Sequence, residues 1–454
     1  MIEVTIGQIA EFCNGKPNEA AEKIKNEKVK GVSIDTRTIE KNNLFIPFLG
    51  ENADGHRFID SAFDKGAAIS LTEYKIEQGD LRPLIKVDDG LAALQMIAKA
   101  YLNMVSPKVI AITGSNGKTT TKDMVECLLA PYFKVKKTIG NYNNEIGLPL
   151  TILQLDHDTD ISILEMGMDS KGDIDFLSKM TEPDVAIITN VGESHIEKLG
   201  SRENIAAAKY EIVNGLKNTG TFIYSRDYPL LEQIVERDVG YTIRTGGLDE
   251  TNDLQITNVN QTEDGTEFNV PGIDAPVEIP QLGTHNSANA TLALLAAEAS
   301  GLEMSKVMHQ FRSLEVTGMR MQKIKHASGA MFINDAYNAS PSSMKSAIST
   351  IGNMDYDFKI LILADILELG TYRKELHESV GEHINELDDE FDLLLTYGED
   401  ARLIHDTVNN TEKKHFASLE ALAEELNPHL DARTVILLKG SRGMAVERVM
   451  DHIG

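Results

Sequence analysis

Only two cysteines, Cys13 and Cys127, occur in 454 residues, far apart and with no metal-ligand spacing. Their scarcity excludes a disulfide framework and a thiolate metal site, and it fits reduced, packing cysteines in a cytoplasmic protein. Long hydrophobic runs are missing too. The longest, such as residues 292–297, are far too short to span a bilayer, so no membrane insertion is expected. The N-terminus, Met1-Ile2-Glu3-Val4-Thr5, lacks the basic segment and apolar stretch of a secretory signal. Positive charge is in short supply: 44 Lys and Arg face 70 Asp and Glu, for a formal net charge of −26. That surface repels nucleic-acid phosphates and excludes a general DNA or RNA binder. A nucleotide site must therefore rely on backbone donors, a few cations and Mg²⁺. Short-period repeats, low-complexity tracts and charge blocks are also absent.

What is present is a chain with 42% apolar residues, enough for sizeable cores, and a length that suits two to four domains. Residues 31–37 alternate like a half-buried strand, residues 44–48 form a second apolar run, and residues 91–105 read as an amphipathic helix ending before Pro107. A first boundary falls near that proline. From Lys108 strand and helix patterns alternate, with buried-type runs at 162–164, 185–188 and 221–224 and helical stretches at 172–180 and 201–216. Residues 254–270 read as a hairpin turning at Asp264-Gly265, and 286–300 as an Ala- and Leu-rich helix. A second series follows Arg320, with strands at 359–363, 393–396 and 435–438 and helices at 341–351, 376–387 and 419–426. Such alternation predicts an α/β fold of parallel sheets with crossover helices, whose ligands bind at the carboxyl ends of the strands.

One stretch organises the rest. The apolar run from Val109 to Ile112 stops at Thr113-Gly114-Ser115-Asn116-Gly117-Lys118-Thr119-Thr120, and a helical pattern begins. Glycines let successive N–H groups turn inward, and the helix start adds unpaired donors and the positive end of its dipole, so the loop suits phosphate. Lys118 can reach the outer phosphates and the Thr119 hydroxyl can ligate Mg²⁺. Ile112 stands where the usual P-loop pattern has Gly, so this loop is shorter than that pattern.

Around it lie further candidates. Glu165 follows a buried run; it is either a solvated strand end or, if that strand neighbours the one before the phosphate loop, a carboxylate facing the nucleotide's metal. His195, in Thr189-Asn190-Val191-Gly192-Glu193-Ser194-His195, is either an exposed loop residue or a neutral metal ligand. Lys209 on a helix face reads as a surface lysine, since a bare ammonium near Mg²⁺ would be repelled. The amides Asn141, Asn143 and Asn144 suit either a plain turn or the orientation of a peptide or phosphate. Ser340 and Pro341 read as the N-cap and first residue of a helix, which leaves Asp335, Tyr337 and Asn338 before them unexplained.

Taken together and in order, these motifs, with Glu165-Met166-Gly167-Met168, Ala208-Lys209 and His285-Asn286, closely resemble the Mur ligases, the ATP-dependent amide-forming enzymes of peptidoglycan synthesis. Within the family, residues 335–341, Ala364-Asp365-Ile366-Leu367-Glu368-Leu369-Gly370, residues 439–443, and Ser33-Ile34-Asp35-Thr36-Arg37 followed by residues 54–58 are similar to the member that adds D-alanyl-D-alanine to UDP-N-acetylmuramoyl-tripeptide. The resemblance implies three domains: residues 1–106 for the UDP-sugar, a central P-loop ATPase domain at 107–314, and a Rossmann-like C-terminal domain at 315–454. It implies that Ser33, Asp35 and Arg37 serve the UDP-sugar, that Thr119, Glu165 and His195 serve Mg²⁺, and that Lys118 neutralises phosphate charge. Lys209 matches a position that many relatives carry as a carbamate, which would make it an anion. Gly114 to Thr120, Asn286, Asn289, Arg320 and Asp335 match nucleotide positions. Asn141, Asn143, Asn144, Tyr337, Asn338 and Ser340 fall to the substrates. Ser340 stands where many relatives have Asn, and Ala364 where many have Gly. The reaction implied passes through an acyl phosphate on the tripeptide and gives UDP-MurNAc-pentapeptide, in a monomer with no nucleic-acid partner. A ligase adding the third amino acid, folylpolyglutamate synthase and a nucleotide-dependent switch remain as rivals.

Overall fold

The computed structural model describes residues 1–50, 53–387 and 390–453. Its centre is a seven-stranded sheet in which every neighbouring pair runs parallel. From edge to edge the strands are Leu254–Gln255, Thr242–Gly247, Thr221–Tyr224, Val185–Ile188, Lys108–Thr113, Ile161–Glu165 and Val135–Lys137. Parallel strands covered on both faces read as unbroken apolar runs, and Val185–Ile188 is buried throughout. Strand order reverses at Lys108–Thr113, the first strand laid down, whose later neighbours lie on either side. A crevice opens at such a switch point beyond the carboxyl ends. Glu165 pairs in register with Ile112, so the carboxylate and the phosphate-loop candidate leave the sheet at the same end.

The C-terminal part carries a six-stranded sheet in the order Gln322–Lys325, Met331–Asn334, Thr434–Lys439, Phe358–Ala364, Leu393–Tyr397 and Glu412–Phe416. Its first pair is antiparallel and the rest are parallel. The N-terminal part has a smaller five-stranded sheet, also mostly parallel. The helix Gly90–Val105 follows it and packs on Gly147–Ile152 and Asp173–Thr181 of the central part, capped by the Asp89 side chain on the Ala92 N–H. A buried cluster from Ile2 to Leu437 runs through all three parts.

Several expectations need correction. The strand expected at 31–37 shrinks to Val32–Ser33, because Ser33 Oγ and the Asp35 carboxylate bond to nearby backbone and turn the chain. The apolar run at 44–48 contributes only Leu44–Phe45. The expected hairpin is part of a three-stranded antiparallel sheet, Thr257–Gln261, Thr266–Asn269 and Val277–Ile279, while Leu254–Gln255 joins the central sheet instead. Two further strands give no sequence signal, the interior Thr242–Gly247 and the edge strand Glu412–Phe416, the second because Glu-Lys-Lys-His-Phe has no apolar alternation.

Candidate active site

The turn after Lys108–Thr113 runs directly into the helix Lys118–Leu129, with Gly117 as N-cap in a left-handed conformation, φ +77°. A Cβ on Gly117 would lie 2.7 Å from Asn289 Oδ1, so only glycine lets the two segments meet. The loop after Val185–Ile188 braces the turn from behind. Asn116 N–H donates to Asn190 Oδ1 at 2.8 Å, Thr189 Oγ1 donates to the Asn116 carbonyl at 2.5 Å, and Gly192 N–H donates to Ser115 Oγ at 2.8 Å. Lys118 Nζ folds back on the Gly114 carbonyl at 2.8 Å. Burial holds the Lys118 pKa below the ordinary lysine value against the pull of Glu165, and Arg320 pushes it the same way.

Glu165 ends its strand almost fully buried. It accepts from Thr119 Oγ1 at 2.8 Å and Asn143 Nδ2 at 3.0 Å, and Lys122 Nζ stands 3.6 Å away. Thr119 and Glu165 together offer the oxygen donors a hard cation prefers. Among the described residues no group of three or more His, Cys, Asp or Glu could hold a metal alone. The donor set therefore suits an ion that completes its shell with water and phosphate oxygens.

The C-terminal part closes the site from above. Arg320 Nη2 donates to Thr119 Oγ1 at 2.9 Å, its guanidinium lies 3.8 Å over the Tyr337 ring, and its Nη1 is buried with no hydrogen-bond partner among the described residues. Met319 and Met321 on either side have left-handed backbones, φ +60° and +50°. Strain of this kind persists only where surrounding contacts hold it, here Thr317 on the buried Asp123 and Asp335 on the Met321 N–H. Asp335 also pairs with the buried Lys439 at 2.5 Å. The helix Pro341–Gly352 begins with the anticipated Ser340 cap, and Ser340 Oγ meets Asn116 Nδ2 at 3.0 Å across the boundary.

These elements enclose a cleft of about 1060 Å³, large enough for a nucleotide beside a second substrate. Ser115 to Thr120, the three amides Asn141, Asn143 and Asn144, Glu165 and His195 line it from the central part. Asn286 and Asn289 join them, and Arg320, Asp335, Tyr337 and Asn338 face them. Gly114 and Ser340 lie behind the wall, and so does Lys209, which is 1% exposed and whose side chain makes no hydrogen bond or ion pair among the described residues. Burial, and then the Lys118 charge, hold the Lys209 pKa well below the ordinary lysine value. His195 is likewise depressed by burial and by Lys118, against Glu368. Ser33, Asp35 and Arg37 stand outside the cleft, with Arg37 folded onto Asp35 at 2.5 Å. Asn190, Tyr228, His285 and Lys439 also line the cleft. Asn190, His285 and Lys439 lie inside the motifs quoted above, whereas Tyr228 carries no sequence signal.

Three family models match the chain in succession: the Mur ligase family catalytic domain over residues 28–102, the Mur ligase middle domain over 112–297, and the Mur ligase glutamate ligase domain over 319–442. The UDP-N-acetylmuramoyl-tripeptide--D-alanyl-D-alanine ligase of Bacillus subtilis (strain 168) is 42% identical, over 100% of this chain and 99% of that protein. A crystal structure of MurF from Acinetobacter baumannii superposes with a TM-score of 0.89 at 26% identity, covering 99% of this chain and 98% of that one. MurF ligase from Thermotoga maritima in complex with ADP superposes with a TM-score of 0.84 at 28% identity, covering 93% and 97%.

Proposed function

The chain belongs to the Mur ligase family, and on that premise we infer that it joins D-alanyl-D-alanine to UDP-N-acetylmuramoyl-tripeptide with ATP. The product is UDP-MurNAc-pentapeptide for peptidoglycan. Full-length identity to the Bacillus subtilis ligase supports the substrates. The observation that carries the chemistry is the convergence of Lys118 and Arg320 on one anion-binding turn, with a buried guanidinium donor still unpaired.

A carboxylate resists attack because it is negative and oxide is a hopeless leaving group. The tripeptide's terminal oxygen first attacks the γ-phosphorus of ATP, ADP departs, and an acyl phosphate remains. The D-alanyl-D-alanine amine then adds to the carbonyl, the tetrahedral intermediate expels phosphate, and the amine proton is released. Residues 114–120 and Lys118 hold the phosphates, and Arg320 spreads positive charge over the transferring group. Thr119, Glu165 and His195 would hold Mg²⁺, whose part is to neutralise phosphate charge. Positioning contributes most of the remaining rate, because both substrates meet in one enclosed cleft.

Lys209 is read as a carbamate. An unprotonated buried amine adds to CO₂, loses a proton and becomes an anion, which would add a second negative charge near Lys118 beside that of Glu165. Residues 1–106, with Ser33, Asp35 and Arg37, take the UDP-sugar; residues 107–314 take ATP; residues 315–454 bring Tyr337 and Asn338 to the acceptor, while Ser340, expected there as well, is buried at the helix start behind them. Asn141, Asn143 and Asn144 orient the tripeptide end. The protein works in the cytoplasm as a monomer, and the C-terminal domain closes before chemistry.

Phosphate release with UDP-MurNAc-tripeptide plus D-alanyl-D-alanine tests the reading, using tripeptides ending in Lys and in diaminopimelate. Turnover should require both substrates with at least one tripeptide. Turnover with UDP-MurNAc-dipeptide plus free Lys or diaminopimelate instead would assign the chain to the preceding step.

A further inference from the structure

The turn from Asp365 to Gly370 follows the buried strand Phe358–Ala364 and is built firmly on its own domain. The Asp365 carboxylate accepts the N–H groups of Glu399 at 3.0 Å and Ala401 at 2.7 Å. Ile366 N–H donates to His377 Nε2 at 3.1 Å, and Leu367 N–H donates to Ser441 Oγ at 2.8 Å. Glu368 then takes a left-handed backbone, φ +61°, and the chain crosses to the central domain. There its carbonyl accepts Glu197 N–H at 3.4 Å, and the Tyr372 hydroxyl donates to the Gly200 carbonyl at 2.7 Å. Gly370 sits so close that a Cβ would lie 2.8 Å from the Glu197 side chain.

His195 faces this turn, and its backbone is left-handed as well, φ +65°. Its Nδ1 lies 3.0 Å from the Glu368 carboxylate and 3.7 Å from that of Asp169. The separation is already that of a hydrogen bond, and what Nδ1 lacks among the described residues is alignment, which a small rotation of the ring or the carboxylate supplies. Two non-glycine residues held left-handed, opposite one another across a domain boundary, mark a place where local preference yields to a shared contact.

We propose that Glu368 is a positioning residue for His195: from the C-terminal domain it holds the Nδ1 edge of the imidazole, leaving Nε2 as the lone-pair nitrogen for the divalent cation. The proposal rests on the reading of His195 as a Mg²⁺ ligand. A ring nitrogen held by a carboxylate fixes tautomer and orientation, and makes the other nitrogen a better ligand. Because the carboxylate arrives with the C-terminal domain, metal affinity rises on closure, and the metal in turn favours closure.

Glu368→Gln in the full chain tests this, and with 59% of the Glu368 side chain exposed the substitution does not threaten the fold. Binding of a non-hydrolysable ATP analogue is followed by calorimetry across a magnesium titration. Affinity for the analogue in metal-free buffer should be unchanged, while the magnesium midpoint rises about tenfold. Tyr372→Phe removes a neighbouring cross-domain contact without touching His195, and should move the midpoint far less. An unchanged midpoint in Glu368→Gln overturns the proposal. So does an equal shift in Tyr372→Phe, which would assign the effect to docking. If the wild-type chain binds the analogue with no magnesium dependence, the nucleotide-site reading itself falls and takes the proposal with it.

Discussion

The nucleotide end of the central sheet and the 33–37 turn of the N-terminal domain are both offered as binding sites, yet they are built in opposite ways. At the first, backbone groups and amides already brace one another, and the half-buried Lys118 and Arg320 line the cleft. At the second, the groups satisfy themselves. Ser33 bonds to Asp35, and the exposed Arg37 guanidinium grips the Asp35 carboxylate and holds its pKa down to about 2. A substrate entering the cleft meets donors already aimed. One arriving at 33–37 must displace an internal ion pair that water has weakened. Preorganisation should therefore appear in the catalytic rate, and the N-terminal turn in apparent affinity.

Substitutions can break that contrast. Lys118→Ala should lower kcat by roughly 10³-fold. Its thermal midpoint should stay the same or rise, because a half-buried ammonium whose charge is disfavoured there is removed; phosphate release and scanning fluorimetry read the two. Next comes Lys209→Met, which keeps most of the volume but no carbamate. A loss of roughly 10²-fold in kcat is expected, and ¹³C-bicarbonate NMR should show a carbamate resonance in the wild type that the variant lacks. A wild-type spectrum without that resonance would refute the modification. Arg37→Ala sharpens the other side: KM for UDP-MurNAc-tripeptide should rise about tenfold with kcat kept. Unfolding should not change, since 85% of the Arg37 side chain is exposed.

The smallest effect concerns His377, under the Asp365–Gly370 turn. Its Nε2 accepts from Ile366, its Nδ1 sits 2.6 Å from the Arg373 carbonyl, and burial holds its pKa below the ordinary histidine value. A depressed folded pKa costs nothing while both states are neutral. Once pH falls below the unfolded value, the unfolded chain takes up a proton that the folded chain refuses, and stability declines. Urea midpoints between about pH 6.5 and pH 5 should therefore fall less steeply in His377→Gln than in the wild type.

Much of this architecture could be read from the chain because its signals are local. Strands such as Val185–Ile188 are buried on both faces and show as continuous apolar runs, and the Ser340-Pro341 start of a helix is a matter of adjacent residues. The phosphate turn is likewise contiguous. What escaped was either polar, like the edge strand Glu412–Phe416, or made across space. Nothing in the spacing of Glu368 and His195, or of Asn116 and Ser340, announces that each pair meets. Lys209 read as a surface lysine because helix periodicity does not reveal what packs over a given face. Its burial and missing counter-ion emerge only in three dimensions.

The grip of Arg320 on Thr119 has a consequence for economy. Lys118 stands on the turn itself and Arg320 reaches it from the C-terminal part, so under the proposed closure only the closed form would bring both cations together. An open form would then hydrolyse nucleotide slowly, sparing it until the domains meet.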